Sequence, residues 1–193
     1  MKKKNIIAFD LSLNSTGTAY RINGKEGTKN TDVSKNPTGK TYEMKMVNFL
    51  SNTLDCEEKD IDIVLVEDNR FSGNVGRTMH YNVVIAKFAV SMVVGICEDA
   101  GIDLYGITGP VLTRSLRESM DMIKETPTKR AEYSKILGVD KVKWNNTTHK
   151  KRLSILHAKE KIGLTGISHD EADAANQIWL FENGFKDKFK RIV

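Results

Sequence analysis

Short runs of β-branched and apolar residues alternate along this chain with longer amphipathic stretches, and turn residues separate them. Asn5 to Ser12 (NIIAFDLS) reads as a buried strand, and Thr16 to Ile22 as a second strand behind a short Asn14-Ser15 turn. This predicts an antiparallel hairpin, although the connection is not an ideal two-residue turn. Gly24, Gly27 and Asn30 make the next connection turn-like, with a short third strand near 27–33. A helix is predicted over 40–54, where Tyr42, Met46, Phe49, Leu50 and Leu54 fall near helical spacing. Ile61 to Glu67 (IDIVLVE) has the pattern of a central strand, and it ends at an acid. A polar, Gly-containing loop, Asp68 to Arg77, leads into a helix over about 79–100, and Asp103 to Ile107 forms the next strand.

From there the pattern is helical and basic: about 110–125, 128–138 and 148–162, punctuated by Pro127, Gly138 and Asn145-Asn146. The last helix spans about 169–182, and Ser168 with Glu171 forms an S-x-x-E capping box at its start. Early antiparallel strands followed by βαβ units imply an α/β fold: a mixed sheet of about five strands flanked by helices. At 193 residues the chain fits a single domain, with a basic helical segment at about 110–162.

One helix departs from ordinary amphipathicity. From Val83 to Cys97, 12 of 15 residues are apolar, which is more than a helix with one solvated face carries. One side must pack on the sheet and the other must also be covered, by another helix or by a partner subunit. Lys87, Ser91 and Gly95 keep the stretch short of a membrane span. The apolar run after Lys2-Lys3-Lys4 is too short for a signal peptide. Cys56 and Cys97 have no metal-ligand partner nearby in sequence, and they read as reduced thiols of a cytoplasmic protein.

Charge changes the picture in the second half. Residues 1–113 carry 13 basic and 14 acidic side chains, whereas residues 114–193 carry 17 and 11. Within 124–161 the count is 11 basic against 4 acidic. Such a face suits a polyanionic partner, although a charge run is also what a solvated helix face looks like.

The candidate chemistry lies in four acids. Asp10 interrupts a buried strand, Glu67 ends another, and Asp170 and Asp173 stand three residues apart on the last helix, so they share a face. An acid in an apolar strand is costly unless liganded or paired. Two carboxylates about 5 Å apart repel by roughly 3 kcal/mol at an effective dielectric near 20, so a site holding all four needs divalent cations or raised pKa values. Gly17 lies across the hairpin from Asp10 and removes a side chain there. Ala172, Ala174 and Ala175 allow the last helix to approach the sheet closely. Asp170 alone has a second explanation, since acids in a first helical turn complement the macrodipole.

Taken together, Asp10-Leu11-Ser12-Leu13-Asn14-Ser15-Thr16-Gly17, the Val64-Leu65-Val66-Glu67 strand end and His169-Asp170-Glu171-Ala172-Asp173-Ala174 resemble the RuvC-type Holliday-junction resolvases of the RNase H-like superfamily. The resemblance covers most of the chain and is closest to phage-encoded or otherwise divergent members. It implies a homodimeric endonuclease that resolves four-way DNA junctions. Asp10, Glu67, Asp170 and Asp173 would be catalytic and would hold two Mg²⁺ ions, which Mn²⁺ can replace; His169 is a further candidate ligand. It also implies that Val83–Cys97 supplies the dimer interface. Phe71 matches, within one residue, an aromatic that family members insert at the strand exchange point; a loop-anchoring hydrophobe is the other reading.

Candidate DNA contacts are Arg77, Arg114, Arg117, Lys129, Arg130, Lys143, Lys150, Lys151 and Arg152. Lys150-Lys151-Arg152 begins a helix, against the macrodipole, which favours a functional reason for the placement. Trp144 beside it has two readings, a ring that stacks on a base or a core residue, and the core reading is favoured. The basic segment is longer than in the bacterial enzymes. Rival readings are a nuclease of flaps or forks, a 3′–5′ exonuclease, an actin-like ATPase and a non-catalytic DNA-binding protein. The exonucleases carry D-x-E on the first strand, where this chain has Asp10-Leu11-Ser12, and the ATPases need a second domain.

Overall fold

The computed structural model describes residues 3–12, 15–35, 41–54, 60–68, 81–122, 127–138 and 147–193. Phe71, Arg77, Lys143, Trp144 and Cys56 lie outside the described residues, as do the side chains of Lys129 and Arg130.

The strands are β1 (Ile6–Asp10), β2 (Thr16–Ile22), β3 (Lys25–Thr31), β4 (Ile63–Glu67), β5 (Asp103–Ile107) and β6 (Lys190–Arg191). They form one mixed sheet in the order β3-β2-β1-β4-β5-β6. The hairpin β1–β2 and the pair β2–β3 are antiparallel, whereas β1, β4 and β5 run parallel. This is the expected mixed sheet flanked by helices, with six strands among the described residues in place of about five. The extra strand is a two-residue edge pairing antiparallel with β5, too short for any periodicity to announce it.

The helices are α1 (Tyr42–Thr53), α2 (Tyr81–Ala100), α3 (Gly109–Ser119), α4 (Pro127–Leu137), α5 (Thr147–His157) and α6 (His169–Glu182). A π-helical turn, Ala158–Ile162, extends α5 and closes on Gly163 at φ 85°. Helix α3 stops short of the predicted 125. Asp121 takes a left-handed φ of 56°, and Met122 folds back into the core.

Strand alternation divides the core. Ile6, Ala8, Ile63 and Leu65 point to the face that also buries Leu112, Leu153, Ala174 and Leu180 from α3, α5 and α6. Ile7, Phe9, Val64 and Val66 point to the other face, against Met46 and Leu50 of α1 and Val90, Val93 and Cys97 of α2. Cys97 is buried. Among the described residues no helix is long and apolar enough to cross a membrane.

Helix α6 is fixed to the sheet at three levels. At its start, Thr28 on β3 donates to Glu171 (3.1 Å), and Asn30 donates to Ser168 (3.0 Å). In the middle, Gln177 Nε2 donates to the Phe9 carbonyl at 3.0 Å, one residue before Asp10. At its end, the buried Arg21 of β2 forms a two-pronged ion pair with Glu182.

Candidate active site

Asp10 and Glu67 continue the alternation that puts Ile6, Ala8, Ile63 and Leu65 on the α6 side of the sheet. Strands β1 and β4 are parallel, and both acids stand one residue beyond the Phe9–Val66 pair. Their side chains therefore emerge together at the carboxyl ends of two adjacent central strands. In open parallel sheets this is where ligands bind.

Gly17 is the partner of Asp10 across the hairpin. A Cβ there would lie 2.0 Å from the Asp170 carbonyl oxygen, so glycine is what lets the start of α6 seat on β2 beside Asp10. On the other side, a Cβ on Gly109, at the start of α3, would lie 2.6 Å from Glu67 Oε1. Two glycines thus bring two helix starts against the acids.

The cap of α6 uses Glu171 and not the Asp170 side chain. Ser168 Oγ accepts from the Glu171 amide at 3.2 Å, and Glu171 Oε2 accepts from the Ser168 amide at 3.0 Å. Glu171 does the capping, and Asp170 is left to turn inward, where it is buried. Its carboxylate accepts from Ser15 Oγ, stands 2.7 Å from His169 Nε2 and shares a hydrogen bond with Asp10.

The electrostatics follow from this gathering. Burial pushes the Asp10 carboxyl well above the usual carboxylate range, and the charges of Glu67, Asp173 and Asp170 push it further. Asp173 is raised to about 7, mainly by burial; Glu67 and Asp170 add to the rise, while a hydrogen bond from Ser154 and the charge of Lys151 oppose it. His169 is lowered by burial and by Lys151, against the pull of Asp170.

Glu67 and Asp173 line a cleft of about 290 Å³ together with Gly109, Pro110, Thr113 and Lys150. A larger groove, about 640 Å³, lies on the opposite face between β2, β3 and α1 and touches none of the four acids. Among the described residues no three His, Cys, Asp or Glu side chains stand close enough to enclose one ion as they are placed. A hydrogen bond shared by Asp10 and Asp170 is one way in which neighbouring acids relieve their repulsion. The donor set nevertheless suits hard divalent cations: four carboxylates within electrostatic reach of one another at one end of the sheet.

The basic candidates divide. Lys150 reaches the cleft, and the charge of Lys151 acts on both Asp173 and His169. Arg152 instead donates to the Leu137 carbonyl at 3.3 Å and so caps α4. Arg114 is exposed and pairs with Glu118 one turn along α3 at 2.9 Å. Arg117 is half-buried; burial lowers the pKa of His149, and the charge of Arg117 lowers it further. Three residues without a signal in the sequence, Ser154, Asn176 and Gln177, turn out to contact the acids or hold their helix, while Ser15, in the turn after β1, contacts Asp170. Ser, Asn and Gln within amphipathic stretches look like surface residues until tertiary packing buries them.

No protein-family model matches the chain, and no curated protein matches it. Among solved structures, it is similar to Thermus thermophilus RuvC in complex with a Holliday junction substrate, at 11% identity and TM-score 0.49, covering 98% of this chain and 100% of that one. A second Thermus thermophilus RuvC structure matches at 12% identity and TM-score 0.40, over 97% and 99% of the two chains. YeaZ from Pseudomonas aeruginosa matches at 11% identity and TM-score 0.37, over 62% and 50%.

Proposed function

We propose that this protein is a divalent-metal-dependent endonuclease that hydrolyses phosphodiesters in branched DNA, with four-way junctions as its principal substrate and a homodimer as its working form. The observation that carries the nuclease reading is the gathering of Asp10, Glu67, Asp170 and Asp173 at one end of the central strands, with Lys150 and Lys151 beside them. Four-way junctions as substrate rest on the sequence resemblance to the RuvC-type resolvases.

Asp10, Glu67, Asp170 and Asp173 would hold Mg²⁺ or Mn²⁺, with His169 adjacent to Asp170. Bound there, the cations supply an activated water and stabilise the charge on the leaving oxygen. The chain itself supplies the rest. Strand ends fix Asp10 and Glu67, the clamped α6 fixes Asp170 and Asp173, and Lys150 presents a cation to a phosphate entering the cleft. The outer side of α2 carries the half-exposed Val84 and Phe88, with Ser91 and Gly95 along the same stripe, and would pair two copies.

A labelled four-way junction incubated with wild type and with Asp10→Asn tests the reading. Wild type should make paired, symmetric nicks that need Mg²⁺, and the variant should bind without cutting. Equal cleavage by both proteins removes the claim. Linear duplex cut as readily as the junction keeps a nuclease and ends the resolvase assignment. Preference for flaps or forks, or stepwise trimming from an end, points to the rival nucleases. Metal-independent binding without any cleavage points to a non-catalytic DNA-binding protein.

A further inference from the structure

A line of buried polar groups runs through the α5–α6 contact and ends on Asp173. Ser154 and His157 lie on α5 and Asn176 on α6, and none is more than 1% exposed. Asn176 Nδ2 donates to the Ser154 carbonyl at 3.0 Å and to Ser154 Oγ at 2.8 Å. A carbonyl can only accept, so this bond fixes which way the Asn176 amide points. Asn176 Oδ1 must then accept, and it stands 2.7 Å from His157 Nδ1, which therefore carries the ring proton. Because Ser154 Oγ accepts from Asn176, its own hydrogen is left for the neighbouring Asp173 carboxylate, whose charged form it favours. Every donor along His157, Asn176, Ser154 and Asp173 points the same way, toward the carboxylate.

Burying three polar side chains between two helices is costly compared with apolar packing. Helix packing alone could be served by Leu and Ala, as it is at Leu153 and Ala172 on the same two helices. Burial keeps the imidazole neutral, lowering His157 to about 4 against the Asn176 hydrogen bond, which favours the charged form. Metal-ligand carboxylates are typically oriented by such outer partners, and losing one costs about 10- to 100-fold in metal affinity or activity.

We infer that Ser154 is a positioning residue. Its hydroxyl, aligned by Asn176 and His157, holds the Asp173 carboxylate in the orientation that binds the divalent cation. This rests on the reading of Asp173 as a metal ligand. The test measures Mn²⁺ binding to the purified full-length protein, with the metal alone, by the loss of the free-ion paramagnetic signal. Cleavage of the junction at several Mg²⁺ concentrations accompanies it.

Ser154→Ala should lower Mn²⁺ affinity about 10- to 100-fold, leave KM for the junction unchanged, and recover much of its kcat at high metal. Ser154→Thr keeps the hydroxyl and should bind Mn²⁺ like wild type. Ser154→Cys fills the space with a weak donor and should lose affinity as Ser154→Ala does, which separates the hydrogen bond from a packing defect. A lowered Tm with unchanged Mn²⁺ affinity in Ser154→Ala and Ser154→Cys overturns the inference. Asp173→Asn serves as the control. If it binds Mn²⁺ as wild type does, or if wild type binds none, the metal reading fails and this inference with it. If Asp173→Asn binds weakly while the Ser154 variants bind normally, only the positioning role fails.

Discussion

At Asp173 the folded chain holds a proton that the unfolded chain has released. The carboxyl is raised from 3.8 to about 7, so this group's contribution to stability falls as pH rises across that window and stays low above it. His157 acts in the opposite sense. Its value of about 4 lies below the ordinary 6.5, so its contribution is lost as pH falls from 6.5 toward 4. Comparing wild type with Asp173→Asn isolates the acid. In chelator, Asp173→Asn should melt several degrees above wild type at pH 8, and the two should converge near pH 4. Adding Mg²⁺ should raise wild type more than the variant, since only the ionised site gains from the cation. If wild type melts at or above Asp173→Asn at pH 8 in chelator, burial and the neighbouring carboxylates do not destabilise the ionised Asp173 as described.

Three of the four candidate acids were legible in the sequence because each breaks a local rule: an aspartate inside a buried strand, a glutamate closing an apolar one, and a second aspartate deeper in a helix than a cap requires; Asp170 obeys the rule for a first helical turn. Strand and helix positions were legible for the same local reason, since alternation and helical spacing act over a few residues. The register Asp10–Gly17 and the seat of α6 on that glycine are long-range facts, for which the sequence offered only a glycine and a run of alanines. The two helix starts give a contrasting pair of substitutions. In Gly17→Ala the new Cβ meets the Asp170 backbone, which cannot swing aside. It should cost about 1–3 kcal/mol in chemical denaturation and abolish cleavage as α6 lifts away from β1. In Gly109→Ala the new Cβ meets the far end of the Glu67 side chain, which can rotate. Stability should hold while cleavage falls, because the carboxylate leaves its place. Equal loss of stability in both would mean that α3 is as tightly seated as α6.

Across the whole molecule, positive charge is concentrated in the last 80 residues, and the fold brings part of it to the acids. Lys150 and Lys151 begin α5 beside the cleft, whereas Arg152, next in sequence, is committed to the end of α4. Lys150→Ala with Lys151→Ala should therefore reduce the dependence of log affinity on log salt by about 2, since each phosphate that a lysine no longer neutralises removes about 0.9 from the slope. Arg152→Ala should change stability and leave that slope alone; an equal change in slope from Arg152→Ala would place the DNA along α4. The second whole-molecule feature is α2. Its inner residues Ala89, Val90, Val93 and Cys97 are consumed by the sheet. Its outer stripe leaves Val84 and Phe88 each 37% exposed, and a Cβ on Gly95 would meet nothing. An apolar stripe with small residues one and two turns on allows two such helices to approach closely, and a two-fold pair would set two sites against the two strands of a junction. Phe88→Glu should then convert a dimer into a folded monomer by sedimentation at micromolar concentration. Its junction products should change from paired cuts to single nicks. A wild type that is monomeric at that concentration removes α2 as the interface.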